Sequence, residues 1–208
     1  MKNIGIVSYN INCNFTNYGS ALQSWALSTS IARLGFRPVL IDYCPDVLKD
    51  ADPLNPFKKM WDQDVESRRM CEQTMPAIRE NYRKFEEFYT KRFNRTGKKY
   101  TSADFNDVVT DEHLDGFVCG SDTIFCVDEF GLDDGYYANY PVMKNGYAVA
   151  YAASFGDSHF DATTFEILDK RLQNFKAIGI RENKFQSYGD YREFPPENLR
   201  KPMHQQLN

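Results

Sequence analysis

The sequence predicts an α/β fold, a Rossmann-like parallel sheet of about five strands flanked by helices. Three observations lead there. The chain opens as strand, polar turn, helix and strand, the order and length of a βαβ unit. Short apolar runs recur at 115–119, 147–151 and 177–180, each followed by small or charged residues. A helical pattern over roughly 161–174 separates the last two runs, as alternating β and α elements require.

In chain order, the first strand spans 3–9 around Ile4-Gly5-Ile6-Val7, and a turn follows at 10–19. The first helix is predicted over 20–34, stopping at Gly35, before a strand from Pro38 to Asp42. These two strands should be parallel with a right-handed crossover. On the helix, Ala21, Leu22, Trp25 and Ala26 fall on one side, and Leu27, Ile31 and Leu34 on the other. It is therefore expected to be covered on more than one face. Pro45, Pro53 and Pro56 mark a loop over 45–56.

A helical insertion follows at about 57–95, where Ile78, Tyr82, Phe85, Tyr89 and Phe93 recur at three- and four-residue steps. That aromatic stripe reads as core packed against the sheet, and nothing else supports dimerisation through it. The strand at 115–119 ends in Gly120-Ser121-Asp122, and a tyrosine-rich loop carries Tyr136, Tyr137 and Tyr140. The strand at 147–151 leads to Ser154-Phe155-Gly156, and the strand at 177–180 runs into Arg181-Glu182. Residues 1–184 thus form one lobe. The remainder, 185–208, is polar, carries Pro195, Pro196 and Pro202, and is expected to be an irregular tail.

A chain of 208 residues suits one good-sized domain. The net charge of −4 argues against non-specific nucleic-acid binding. No apolar run approaches a membrane span, and the N-terminus enters a strand directly, so the cytoplasm is the default location. The five cysteines are scattered without a Cys-x-x-Cys pair or a histidine at zinc spacing, so no metal site is expected. His113, His159 and His204 read as surface residues, and no Ser-His-Asp arrangement emerges from spacing. Asp42 ends the second strand, where a ribose-binding acid often sits. The missing G-x-G-x-x-G and phosphate-loop motifs weaken that idea.

In a wound parallel sheet, ligands bind at the carboxyl edge of the strands. Asn17-Tyr18-Gly19-Ser20, Gly120-Ser121-Asp122, Ser154 and Arg181-Glu182 should therefore gather on one rim. Gly19 and the helix start after it offer free N–H groups and a positive dipole end, which suit an anion. Asn, Gly and Ser also cap helices with no ligand present. Arg181 is suited to bidentate capture of a carboxylate or phosphate. Asp122 is a candidate to accept a hydroxyl proton or to orient a donor. The bland alternative is that Asp122 caps the next turn and Arg181 pairs with a nearby acid.

These segments, in order, resemble the polysaccharide pyruvyl transferase family. The resemblance rests on Ile4-Gly5-Ile6, Asn17 through Gln23, Val39 through Tyr43, Phe117 through Asp122, Tyr151 through Gly156 and Ile178 through Glu182. It implies one lobe of a GT-B-like fold and transfer of pyruvate from phosphoenolpyruvate, the donor substrate, to a sugar hydroxyl of a cell-surface polysaccharide. It further implies that Asp122 and Arg181 are catalytic, with Arg181 meeting the anionic donor. Asn17, Tyr18, Gly19, Ser20, Gly120, Ser121, Ser154 and Glu182 would line the substrate cleft. No further cofactor is implied.

The sequence departs from the family pattern in two ways. Phe125 stands where members usually carry a tryptophan. The second lobe, expected to supply an acid–base histidine, has no counterpart in 185–208. Catalysis would then need a second lobe or a partner, a homo-oligomer included. Two rival functions remain: a non-catalytic sugar- or anion-binding module, and a nucleotide-sugar glycosyltransferase lobe.

Overall fold

The computed structural model describes residues 1–9, 11–13, 16–55, 64–158, 160–182, 185–187 and 190–192. Five strands form one sheet: β1 (Asn3–Val7), β2 (Arg37–Leu40), β3 (Gly116–Asp122), β4 (Ala148–Ala153) and β5 (Ala177–Ile180). Their order is β2-β1-β3-β4-β5, and every neighbouring pair is parallel. The order reverses between β1 and β3, so a topological switch point lies beside the end of β1. At the β2 edge the chain adds isolated parallel bridges, Leu40 to Arg95 and Tyr43 to Tyr100.

Alternation along the strands sorts the core into two faces. On one face Val7, Val39, Ile41, Phe117, Cys119, Ala150 and Ile178 pack with Phe105, Tyr136, Tyr137 and Met143. Leu168 and Leu172 of α4 (Ala162–Leu172) cover the same face. Tyr136 and Tyr137 of the expected loop are among the largest fully buried side chains, and Tyr140 is buried beside them. The Tyr137 hydroxyl donates to the Phe125 carbonyl at 2.8 Å. Tyr43 donates to the Asp133 carboxylate at 2.8 Å.

On the other face, Ile6 and Leu40 meet Ala21, Leu27 and Ile31 of α1 (Tyr18–Arg33). Phe85, Tyr89 and Phe93 join them, the first two from α2 (Val65–Arg92) and the third from its C-cap. The expected aromatic stripe is thus a packing surface, with Ile78 and Tyr82 half-buried at its start. The opposite side of α2 is laced with exposed ion pairs such as Arg83–Glu80 at 2.8 Å. The part of the insertion over 57–63 lies outside the described residues.

Three expectations are corrected. α1 is covered on one face: Ser20, Ala21, Ser24, Leu27, Ser28 and Ile31 are buried, while Leu22, Trp25, Ala26 and Leu34 are exposed. The serines, being small, let the helix sit close to the sheet where larger apolar residues would hold it off. Gly120-Ser121-Asp122 is the end of β3 itself, because β4 extends with it and pairs Asp122 with Ala153. Within the expected irregular tail, β6 (Phe185–Ser187) and β7 (Asp190–Arg192) pair antiparallel.

Candidate functional site

Asn17 begins the site. Its extended backbone and its Oδ1, which accepts the Ser20 N–H at 3.2 Å, make it the N-cap of α1. The Ala21 N–H bonds the Asn17 carbonyl, so the N–H groups of Tyr18 and Gly19 remain without an intramolecular partner among the described residues. Both residues are exposed, and α1 carries no acidic residue in its first turn. The helix thus has no acid of its own at its positive end, although the Asp122 carboxylate reaches its first turn through Ser20.

From this turn, Ser20 donates to Asp122 Oδ2 at 2.6 Å, tying the helix start to the end of β3. Asp122 Oδ1 accepts the Thr123 N–H at 2.9 Å. Both oxygens of the predicted catalytic carboxylate are thus engaged, and the turn-capping alternative for Asp122 is met through Thr123. Gln23, one helical turn along, accepts the Ser121 N–H at 3.0 Å and also the Ser121 hydroxyl. Its Nε2 donates to Ser8 Oγ at 2.9 Å, Ser24 Oγ at 2.7 Å and the Ser20 carbonyl at 2.9 Å.

Gly120 makes this approach of β3 to β4 achievable. Its φ is +129°, and a Cβ there would lie 2.1 Å from the Tyr151 carbonyl oxygen. Only glycine fits.

Across the sheet, the Ser154 N–H bonds the Asp122 carbonyl at 2.8 Å. The Ser154 hydroxyl donates to Glu182 Oε1 and accepts the Gly156 N–H at 3.0 Å. The other Glu182 oxygen, Oε2, is buried without a partner among the described residues. The Arg181 N–H bonds the Ala153 carbonyl at 3.0 Å, fixing its backbone at the end of β5. Its exposed side chain has no ion pair or hydrogen bond among the described residues. At about 4.8 Å per strand, the ends of β3 and β5 stand roughly 10 Å apart.

One edge of the sheet therefore carries all the predicted positions. Asn17, Ser20, Ser121 and Asp122 form one bonded group, and Ser154 joins it to Glu182. Arg181 stands at the same edge, and among the described residues its side chain makes no hydrogen bond or ion pair with the others. Gln23 and Ser8 complete the bonded group and were not predicted as site residues. The usable signal was position: Gln23 lies three residues after Ser20, and helical side chains lean back toward the N-terminus.

Neighbouring groups set the charge. Glu129, beyond Thr123, has its carboxyl pushed up by burial and then by the Asp122 charge. Asp42, the weak ribose-acid candidate, is buried and paired with Arg95, and it accepts from Asn12 Nδ2 at 2.6 Å. It is structural. Phe125, at the family's tryptophan position, is fully buried and stacks on Tyr137 at 4.7 Å. His113 takes the left-handed C-cap of α3 (Val108–Glu112), while His159 and His204 lie outside the described residues. All five cysteines are free, and no cluster of metal-ligating side chains occurs among the described residues.

The family model for polysaccharide pyruvyl transferase matches residues 17–187, from the α1 cap through β5 and into the following hairpin. The chain belongs to the polysaccharide pyruvyl transferase family. The pyruvyl transferase match covers the predicted rim positions from Asn17 to Glu182 and leaves Ser8 outside it. No curated protein and no solved structure matches the chain. Among the described residues no helix is long and apolar enough to cross a membrane.

Proposed function

We propose that this chain contributes one lobe to the transfer of pyruvate from phosphoenolpyruvate to a sugar hydroxyl of a cell-surface polysaccharide, with inorganic phosphate released. The observation that carries this reading is the exposed Arg181 guanidinium, without a partner among the described residues, on the same rim as the N-terminus of α1 within a chain of this family. A donor with a carboxylate and a phosphate calls for two cationic or N–H-rich points. The guanidinium and the Tyr18 and Gly19 amides supply them. Charge that builds as phosphate departs is stabilised by groups already aimed at it.

Asp122 enters as an orienting group, because its oxygens hold Ser20 and the Thr123 amide. Ser154 and Glu182 form the neighbouring wall toward the acceptor sugar. A second lobe or a partner completes the water-excluding cleft. The cytoplasm is the proposed setting.

The test is incubation with phosphoenolpyruvate and candidate saccharides, with phosphate release and donor-induced thermal stabilisation as readouts. The expected result is stabilisation by phosphoenolpyruvate that Arg181→Ala abolishes. Stabilisation by a nucleotide sugar, and none by phosphoenolpyruvate, would overturn the reading.

A further inference from the structure

Gln23 has the most completely used side chain on the rim, and no role is assigned to it above. Its amide oxygen accepts from both the N–H and the O–H of Ser121. Its amide nitrogen faces three acceptors, one just past β1 and two in the first two turns of α1: Ser8 Oγ, Ser20 O and Ser24 Oγ. One side chain thus spans the three segments that meet at the switch point. Ser8, Ser20, Ser24 and Ser121 are all buried, so none of these bonds is readily replaced by water.

The chemistry specifies glutamine. The site asks for an acceptor on one side and a two-hydrogen donor on the other, at the end of a side chain long enough to cross from helix to strand. Asparagine is one methylene short. Ionised glutamate accepts at both oxygens and would oppose the Ser20 carbonyl. Methionine or leucine fills the space and bonds nothing.

We infer that Gln23 is the positioning residue of this rim. It holds the Ser121 amide, and with it Asp122, in register with the first turn of α1, so that the Tyr18 and Gly19 amides point at the donor. The inference rests on the proposed donor reading. It adds that the donor-binding geometry is set by a residue that never touches the donor. Ser20 then bonds Asp122 because both ends of that bond are anchored by Gln23, one through the helix backbone and one through Ser121.

The test uses the full chain with Gln23→Leu, Gln23→Glu and Ser121→Ala. Two quantities are read: amide hydrogen exchange at Ser121, and the phosphoenolpyruvate dissociation constant well below the melting temperature. Gln23→Leu is expected to speed Ser121 exchange at least tenfold and weaken phosphoenolpyruvate about tenfold. Ser121→Ala keeps the amide contact and should weaken phosphoenolpyruvate less than threefold. Gln23→Glu supplies a pH profile that a merely structural role would not move. Protonated glutamate regains a donor, so its affinity relative to wild type should climb between pH 7 and about pH 4, the range that includes the ordinary glutamate pKa.

Exchange and affinity both within twofold of wild type in Gln23→Leu would overturn the inference. Should that variant not fold, the Gln23→Glu profile decides, and a flat ratio overturns it. If wild type binds no phosphoenolpyruvate, the donor reading fails by itself. The exchange arm then decides whether Gln23 holds Ser121: accelerated exchange supports the positioning role and unchanged exchange rejects it.

Discussion

The two halves of the rim differ in how much of their hydrogen-bonding capacity is already engaged. On the β1–β3 side, Asn17, Ser20, Gln23, Ser121 and Asp122 are bonded to one another across a helix and two strands. On the β4–β5 side, Arg181 has an exposed guanidinium without a partner, and Glu182 a buried oxygen without one, among the described residues. One half is a finished scaffold, and the other keeps valence in reserve. In a site that binds a charged ligand, unsatisfied groups mark where contact is made, and satisfied ones mark what holds them in place.

That contrast is sharpest where it is easiest to break. Gly120→Ala forces a Cβ into the Tyr151 carbonyl from a positive-φ backbone, which no relaxation of a flexible side chain can relieve. The expected loss is about 3 kcal/mol or more, read as a drop in the urea midpoint or as failure to fold. A midpoint near wild type would mean that the scaffold half is not rigid.

Next in size is Ser154→Ala, at the joint between the halves. It removes, from a buried side chain, the donor to Glu182 Oε1 and the acceptor for the Gly156 amide. A loss of about 2 kcal/mol is expected by chemical denaturation. A loss below about 0.5 kcal/mol would show that water already serves Glu182.

A buried carboxylate away from the rim provides a control with a different signature. Asp133 is held by Tyr43 and by the amides of Gly135 and Tyr136, and burial pushes its carboxyl up to about 6. Its folded value lies above the ordinary carboxylate range near 4, so its stabilising contribution is complete below about pH 4 and is lost as pH rises through about 6. Asp133→Asn should flatten the melting temperature against pH between 4 and 7, a change of about 1–2 kcal/mol. An unchanged slope would place the titration elsewhere.

The smallest expected effect on stability is that of Arg181→Ala. The side chain is exposed and has no ion pair among the described residues, so the urea midpoint should match wild type within about 0.5 kcal/mol. A clear destabilisation would move Arg181 from the reserve half to the scaffold half.

How much of this was legible in the sequence follows from the same distinction. The strands around Ile6, Val118 and Ala150 were visible because parallel strands covered on both faces read as apolar runs. The Phe85–Tyr89–Phe93 stripe was visible because helical period survives in a long helix. The end of β3 was not, since Gly120, Ser121 and Asp122 all have turn chemistry, and only pairing with β4 keeps them extended. The buried face of α1 was misread for a related reason. Serines at 20, 24 and 28 count as polar, while Leu22 and Trp25, which look like core, face outward. Gln23 was legible as part of a family motif but not as a hub, because its partner Ser121 is 98 residues away.

The serine face of α1 has one more consequence. With Ser20, Ser24 and Ser28 beneath it, the helix rides low over the sheet, and that clearance lets a side chain as short as glutamine reach β3. Valine or leucine at position 24 or 28 would act as a shim, lifting the helix and unhooking Gln23 from Ser121 without altering any group at the mouth of the cleft. The thickness of those residues is thus a dial on the aperture, set from underneath.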